Sequence, residues 1–316
     1  MADHTLTRDQ YHLFFDPTEP PKIEIEPGDR VLVETEDAHL GTIRDNDTVY
    51  ASLAEVFEVL GGANPVTGPI YINGVEPGDL IAMTIEDMTP GPVQGQGYTV
   101  LTPSLGGLVS DYTLQEPLTP RTVIVPFEGD TAYFPTSKGP IGLPIAPFLG
   151  TMGLAPSAER RYSYFQGADF LGNVDLPNLG IGCTIVMRAN VPGGLVSVGD
   201  AHALQGDGEI SGAAVECQSD VTLRFEVIPK EDAQYVALPQ FETEDTIGSI
   251  AGFGGVHLGD VVRAGYVDMT KRLSTFHGFT VPDAYNLLCL AARVTVGQVV
   301  DPLYSATVEI DRKFLV

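Results

Sequence analysis

The chain has no tryptophan and only 3 cysteines in 316 residues. Cys183, Cys217 and Cys289 are widely spaced and flanked mostly by apolar residues. Neither a disulfide framework nor a thiolate zinc site is expected, and a reducing compartment suits the chain. No uninterrupted apolar run reaches the roughly 18 residues of a membrane-spanning helix. The opening MADHTLTRDQYHLF has neither the basic nor the apolar segment that directs export. A cytoplasmic protein with no membrane partner is the expectation. Basic residues are scarce as well: 17 Lys and Arg face 42 Asp and Glu, for a net charge of −25. That balance argues against nucleic acid or an anionic membrane as the main ligand. Cations are the more natural guests, although most carboxylates on such a chain simply keep its surface hydrated.

Glycine (35) and proline (24) are plentiful and separate short apolar runs, the pattern of a β-sandwich or barrel. Glu26-Pro27-Gly28-Asp29 recurs as Glu76-Pro77-Gly78-Asp79, with Pro and Gly where a type II turn needs them. The first precedes the strand-like VLVETED, the second LIAMTIED, and Gly180-Ile181-Gly182-Cys183 similarly precedes TIVMRANV. A short helix is expected within Thr48 to Leu60, ending at Gly61-Gly62. Residues 90–160 read as long loops joining short strands. Ala213 to Ile228 alternates as a strand pair. Asp260 to Phe276 places Val262, Tyr266, Met269, Leu273 and Phe276 on one helical stripe, read as core packing. Thr280 and Asp283 form a capping-box pattern ahead of a second helix carrying Ala284, Leu287, Leu288, Ala291 and Ala292. SATVEID closes the chain as a strand. With no visible boundary, residues 1–316 are expected to form one mostly-β (α+β) domain, an antiparallel β-sandwich with a few helices including a C-terminal pair.

The stretch richest in chemical side chains is Val191 to Glu209, VPGGLVSVGDAHALQGDGE. Strand alternation puts Val196, Val198, Asp200 and His202 on one face, with Asp200 and His202 roughly 6.5 Å apart. Gly206 and Gly208 permit a tight turn that would fold Asp207 and Glu209 back toward the strand end. In VLVETEDAH, Glu34 and Glu36 share a face, and a turn beginning at Ala38 would let Asp37 lean into a site. His39 is a reserve second histidine ligand. Asn173, in the turn-like GNVD, would either meet a substrate carbonyl or close an Asx turn. His4 and His12 stand near a terminus expected to be mobile, and His257 and His277 have no second ligand close by in sequence. There is no GxSxG elbow, no cysteine lies near a histidine, and Ser197 would face away from His202. Metal-assisted attack by water fits better: hard oxygen ligands and one imidazole hold a divalent ion, and Glu209 or Glu34 moves the proton.

Four stretches carry a resemblance to a known family: VETEDAHLG at 33–41, NPVTGPIYINGVEPGD at 64–79, GNVDLPNLGIGCTIVMRANVPGGLVSVGDAHALQGDGE at 172–209, and LAARVTVGQVVDP at 290–302. Together they make the chain resemble the acetamidase/formamidase family over nearly its whole length. The resemblance implies a β-rich sandwich that hydrolyses small aliphatic amides to ammonia and a carboxylic acid, with a divalent metal in the site. Zinc is the first expectation, with calcium and magnesium as alternatives. Carried over residue by residue, the ETxD pattern falls on Glu34 and Asp37, Asp200 and His202 take the metal-like positions, and Asp207 and Glu209 fall on the acidic turn; the geometry read above then assigns Asp37, Asp200 and His202 to the metal. Glu209, or otherwise Glu34, would be the general base, with Asp207 on the same acidic turn, and Asn173 would orient the carbonyl. Where many members read HGGN, this chain reads Phe170-Leu171-Gly172-Asn173, so Phe170 is expected to give the pocket an apolar wall suited to a bulkier or less polar amide. The alternatives are a non-catalytic binding sandwich of the same fold, or a metal hydrolase acting on an imide, lactam, ureide or ester. A homodimer is compatible with the amphipathic helices at 260–292.

Overall fold

Glu26–Asp29 and Glu76–Asp79 adopt one and the same turn in the computed structural model, which describes residues 2–102, 105–108, 118–235, 237–253, 257–301 and 303–315. In each, the Asp N–H donates to the Glu carbonyl at 3.1 Å, and the glycine takes a left-handed φ of 99° or 101°. The Asp carboxylate reaches back to accept from the Glu N–H at 2.9 Å, closing the turn at both ends. That double closure gives the repeated tetrapeptide its use as a strand starter. The strands it launches, Arg30–Thr35 and Leu80–Pro90, pair with opposite edges of Ser219–Ile228.

These three strands form part of a nine-stranded sheet that continues through Thr184–Arg188, Gln240–Glu242, Thr246–Ala251, Ala306–Asp311 and Arg293–Val296. A second sheet of seven strands is built around Val196–His202, which lies between Phe148–Gly153 and Val66–Ile72. Val31, Met83, Leu223 and Phe225 of the first sheet meet Ile70, Leu149, Met152 and Val198 of the second in one buried cluster. The two sheets therefore pack face to face over a shared core, as a β-sandwich. Each fully buried aliphatic or aromatic side chain there contributes about 1.5–3 kcal/mol. Pairing between the strands is antiparallel, apart from His4–Leu6 against Arg30–Thr35 and Ile23–Ile25 against Val66–Ile72.

Several sequence expectations are corrected. Residues 90–160 hold more than short strands in loops: Gln96–Leu101, Arg121–Glu128, Thr131–Phe134 and Ile141–Pro144 make a four-stranded sheet. Pro126 within the second of these masked its strand pattern, since proline forfeits a ladder donor. Residues 103, 104 and 109–117 of that region lie outside the described residues. The N-terminus is tied down, with His4 bonded to Asp29 at 3.0 Å and His12 to Ser197 at 3.0 Å.

Among the described residues, three α-helices complete the architecture: α1 (Leu53–Leu60), α2 (Leu258–Phe276) and α3 (Val281–Ala291). Ser52 caps α1 by accepting from Glu55 N–H, and Gly61 ends it at φ 76°. Thr280 caps α3 in the same manner through Asp283 N–H. On α2 the buried face is Val261, Gly265, Asp268, Met269, Arg272 and Leu273, rotated from the expected stripe. Two polar residues cause the rotation: Asp268 accepts from Ser249 at 2.6 Å and Arg272 pairs with Glu242 at 2.5 Å, so both must point inward. Met269, Leu273, Ala284 and Leu288 then seal the helix pair against Ile247, Val308 and Ile310 of the large sheet. Among the described residues, no helix is long and apolar enough to cross a membrane.

Candidate active site

Glu216 marks the seam between the seven-stranded and four-stranded sheets, bridging His202 on one side and Tyr98 on the other. Beside that seam lies a cavity of about 310 Å³ lined by Asn173, Asp175, Asp200, His202, Glu209 and Glu216 among others. Leu53, Val56 and Phe57 of α1 also line it, together with Tyr164 and Leu105.

The strand Val196–His202 reaches this cavity by breaking its own period. Val196, Val198 and Ala201 all enter the core, whereas Asp200 and His202 face the cavity. The grouping of Val196 and Val198 with Asp200 and His202 on one face is thus corrected. The cause is the left-handed backbone at Asp200, φ 53°, which shifts the alternation by one residue. Asn64 (φ 53°), Asp175 (45°) and Glu209 (47°) share that conformation, so four residues of the cavity wall sit in a sparsely populated backbone region. Asn and Asp tolerate it through local hydrogen bonding, and Glu does so less well. Strain of this kind is held by the surrounding packing and gathers at functional sites.

The imidazole of His202 is fixed at both ends. Gln205 donates its amide N–H to the carbonyls of Asp175 and Gly297, at 2.8 and 2.9 Å, leaving Oε1 to accept from His202 Nδ1 at 2.8 Å. Nε2 then faces Glu216 Oε2 at 3.2 Å and Asp200 Oδ1 at 3.5 Å. Asp200 Oδ2 accepts from Asn64 at 2.8 Å and lies 3.0 Å from the Thr151 hydroxyl, whose one proton it shares with Asn173 Oδ1. Asn173 spends its whole hydrogen-bonding capacity inside the protein. It donates to Asp175 and Asp301, both at 2.7 Å, and accepts from Thr151 at 2.5 Å and Asn64 at 3.0 Å.

Five carboxylates, Asp175, Asp200, Glu209, Glu216 and half-buried Asp301, therefore surround one imidazole. Burial, followed by repulsion from Glu209 and Asp200, raises the Asp175 pKa well above the usual range. Burial likewise raises Glu209 and Glu216, against the opposing pull of His202, and pushes Asp301 up to about 7. For His202 burial works downward, yet the nearby charges of Glu216 and Asp200 outweigh it and raise the pKa well above normal. So much buried negative charge requires cations, either protons or a metal.

The residues fit a metal. Asp175, Asp200 and His202 bring ligand atoms within 4.8 Å of one another, as do His202, Glu209 and Glu216. Asp175 Oδ1 and Glu216 Oε2 are buried with no hydrogen-bond partner among the described residues. A Cβ on residue 150 would collide with Asp175 Oδ1 and Asp200 Oδ2, so Gly150 keeps the space those oxygens occupy. Hard oxygens with one imidazole suit a divalent ion such as zinc, magnesium or calcium.

Of the residues singled out from sequence, Asp200, His202, Glu209 and Asn173 come together at this cavity. Asp37 stands one layer behind it and is already engaged. Its Oδ1 accepts from the N–H groups of His39 and Gly41 at 3.0 Å and from Tyr98 at 2.9 Å, and Oδ2 pairs with Arg44 at 3.1 Å. Glu34 points elsewhere, to Arg8 at 3.5 Å. Asp207 is exposed at the tip of the turn, and only Glu209 folds back. Phe170 is not a wall of the cavity; it packs against Phe15 with ring centroids 5.6 Å apart.

Sequence reasoning missed Glu216, Asp175, Asp301 and Asn64. Asp175 was visible as the acid of GNVD and Asp301 as that of VVDP, whereas Glu216 showed only as a carboxylate between Val215 and Cys217.

The chain as a whole is similar to proteins of one family. The model of the Acetamidase/Formamidase family matches residues 2–169 and 165–310. An acetamidase of Mycolicibacterium smegmatis is 28% identical over 268 residues, covering 66% of this chain and 64% of its own length. The chain thus spans slightly less than two thirds of that relative. A formamidase of Methylophilus methylotrophus is 25% identical over 310 residues, covering 82% of this chain and 75% of its own. The crystal structure of an acetamidase from Yersinia enterocolitica superposes with a TM-score of 0.87 at 32% identity, over 99% of this chain and 93% of that one. The chain therefore belongs to the acetamidase/formamidase family.

Proposed function

We propose that this protein hydrolyses the C–N bond of a small amide, releasing ammonia or an amine and a carboxylate. The observation that carries the reading is the cluster of five carboxylates about His202, in a cavity of about 310 Å³ lined in part by apolar side chains. Asp175, Asp200 and His202 would hold a divalent ion, zinc first among the candidates. Bound there, such an ion supplies Lewis acidity toward the amide carbonyl and toward water.

The chain's own residues supply the rest. Glu209 accepts no hydrogen bond on its carboxylate among the described residues and borders the cavity, so it is free to take a proton from attacking water. Once protonated, the same carboxyl group can return that proton to the departing nitrogen. Glu216 orients the imidazole of His202 from one side and Gln205 from the other. Asn173, fully bonded to its neighbours, holds Asp175 and Asp301 in place rather than touching the substrate. Leu53, Val56 and Phe57 add apolar surface to the lining beside the acids.

The test is ammonia release from a panel of small amides by the purified protein, before and after chelation. Loss on stripping and recovery with a divalent ion supports both parts of the reading. Undiminished turnover after verified metal removal defeats the metal part, and inactivity on every amide defeats the whole.

A further inference from the structure

His39 also lines the cavity, outside both groups whose ligand atoms gather within 4.8 Å. Its Nδ1 lies 2.9 Å from the Tyr98 hydroxyl, and that hydroxyl lies 2.9 Å from Asp37 Oδ1. The three groups form a chain whose proton positions are determined. Asp37 faces the Arg44 guanidinium at 3.1 Å and takes two backbone N–H bonds at 3.0 Å, so it is a carboxylate that only accepts. The phenol has a single proton, which must go to Asp37. Tyr98 can then receive only Nδ1–H from His39, and a neutral imidazole protonated at Nδ1 carries a bare lone pair at Nε2. Among the described residues that nitrogen makes no hydrogen bond, while Nδ1 has its partner. Burial lowers the pKa of His39 against the opposing charges of Asp37 and Asp200, which favours the neutral ring.

We propose that His39 Nε2 accepts the N–H of the substrate amide, with Tyr98 and Asp37 as positioning residues that hold its tautomer. The inference rests on the amidase reading above and adds to it a basis for choosing between substrates. An amide can give an N–H to this lone pair, and an ester of the same shape cannot. The site should therefore discriminate by the atom attached to the carbonyl, not only by size.

The experiment compares acetamide with methyl acetate in wild type, His39→Ala, His39→Gln and Tyr98→Phe. The ester serves as substrate or, where turnover is slow, as a competitive inhibitor of acetamide hydrolysis. For His39→Ala the kcat/KM on acetamide should fall roughly ten- to hundred-fold relative to the ester constant, the effect of leaving one polar partner unmet. His39→Gln, which keeps an acceptor oxygen, should recover part of the loss. Tyr98→Phe should repeat the selective loss, with KM for the amide rising. Equal losses on amide and ester overturn the inference, because they report general damage to the site. Ammonia release by wild type with such parallel losses leaves the amidase reading standing and removes only the role of His39. No ammonia from wild type on any amide removes both.

Discussion

His202 Nε2 lies 3.2 Å from Glu216 Oε2, a buried oxygen that is nevertheless not aligned to accept a hydrogen bond from it. An oxygen left so close and so unsatisfied is waiting for a third partner. Glu216→Gln keeps the volume and removes the charge. It should weaken binding of a divalent ion and lower ammonia release by about 10–100-fold each, the usual effect of losing a group that supports a ligand. The chelated variant should be at least as stable as chelated wild type, since one buried negative charge is gone. Calorimetric titration with the ion and thermal unfolding check the two halves separately.

Glu209 and Asp207 are two residues apart on one turn, yet one borders the cavity and the other is exposed. Glu209→Gln should lower turnover by about 10²–10⁴-fold, as expected when a general base is removed. Asp207→Asn should leave turnover and stability close to wild type, because exposed charges away from special features contribute within roughly 0.5 kcal/mol. Steady-state kinetics on the two variants distinguishes a role of this carboxylate from a general need for acid in the loop.

Without metal, the acid cluster should make the fold weaken as pH rises. Asp301 is pushed up to about 7, and Asp175, Glu209 and Glu216 are raised also, so between pH 4 and 7 the folded state binds more protons than the unfolded one. Stability then falls with rising pH through that window. His202 acts in the same direction at higher pH: with its pKa raised, the stability it gives is full below its unfolded value and lost as pH climbs through the folded one. The melting temperature of chelated protein should therefore drop from pH 4 toward pH 8. A divalent ion should restore it at neutral pH, where it replaces the protons. A flat profile under chelator would contradict this electrostatic account.

Much of this was legible in the sequence, and what was hidden was hidden for physical reasons. The two Glu-Pro-Gly-Asp turns, the Thr280 cap and the glycine end of α1 are local devices, and local sequence specifies them. The sandwich followed from short apolar runs between turns. The site was half legible: Asp200, His202 and Glu209 belong to one continuous string. Asn64, Asp175, Glu216 and Asp301 join them only through tertiary pairing, such as the bridge from Glu216 to His202. Asp37 misled because an acid at a strand end looks the same whether it faces a cavity or an arginine, and Arg44 decides the matter. The face assignment around Val198 failed because a period of two assumes regular φ, and Asp200 is left-handed.

Leu53, Val56, Phe57 and Leu105 give the cavity an apolar part of its lining beside the acids. An amide whose polar end meets the acids would therefore lay its acyl chain against these side chains. Each added methylene that reaches them is worth about 0.8 kcal/mol, or roughly four-fold in kcat/KM. Activity should rise along acetamide, propionamide and butyramide until the space is full, then fall. Phe57→Ala should move that maximum to a longer chain. A series of kcat/KM values on linear amides, in wild type and variant, checks both the slope and the shift.

Leu171 has a φ of 71°, in the left-handed region that ordinarily favours glycine. A leucine there costs about 1–2 kcal/mol of backbone strain. The side chain returns that cost, for it is fully buried in the core between the two sheets beside Val174. Leu171→Gly removes the strain and also the packing, and truncating a buried leucine costs about 2–5 kcal/mol once the cavity is counted. The packing term is the larger, so the variant should be less stable by roughly 1–3 kcal/mol despite its better backbone fit. Denaturant unfolding of the chelated protein measures the difference. A more stable Leu171→Gly variant would mean that backbone strain outweighs the buried side chain at the start of the strand Leu171–Asn173.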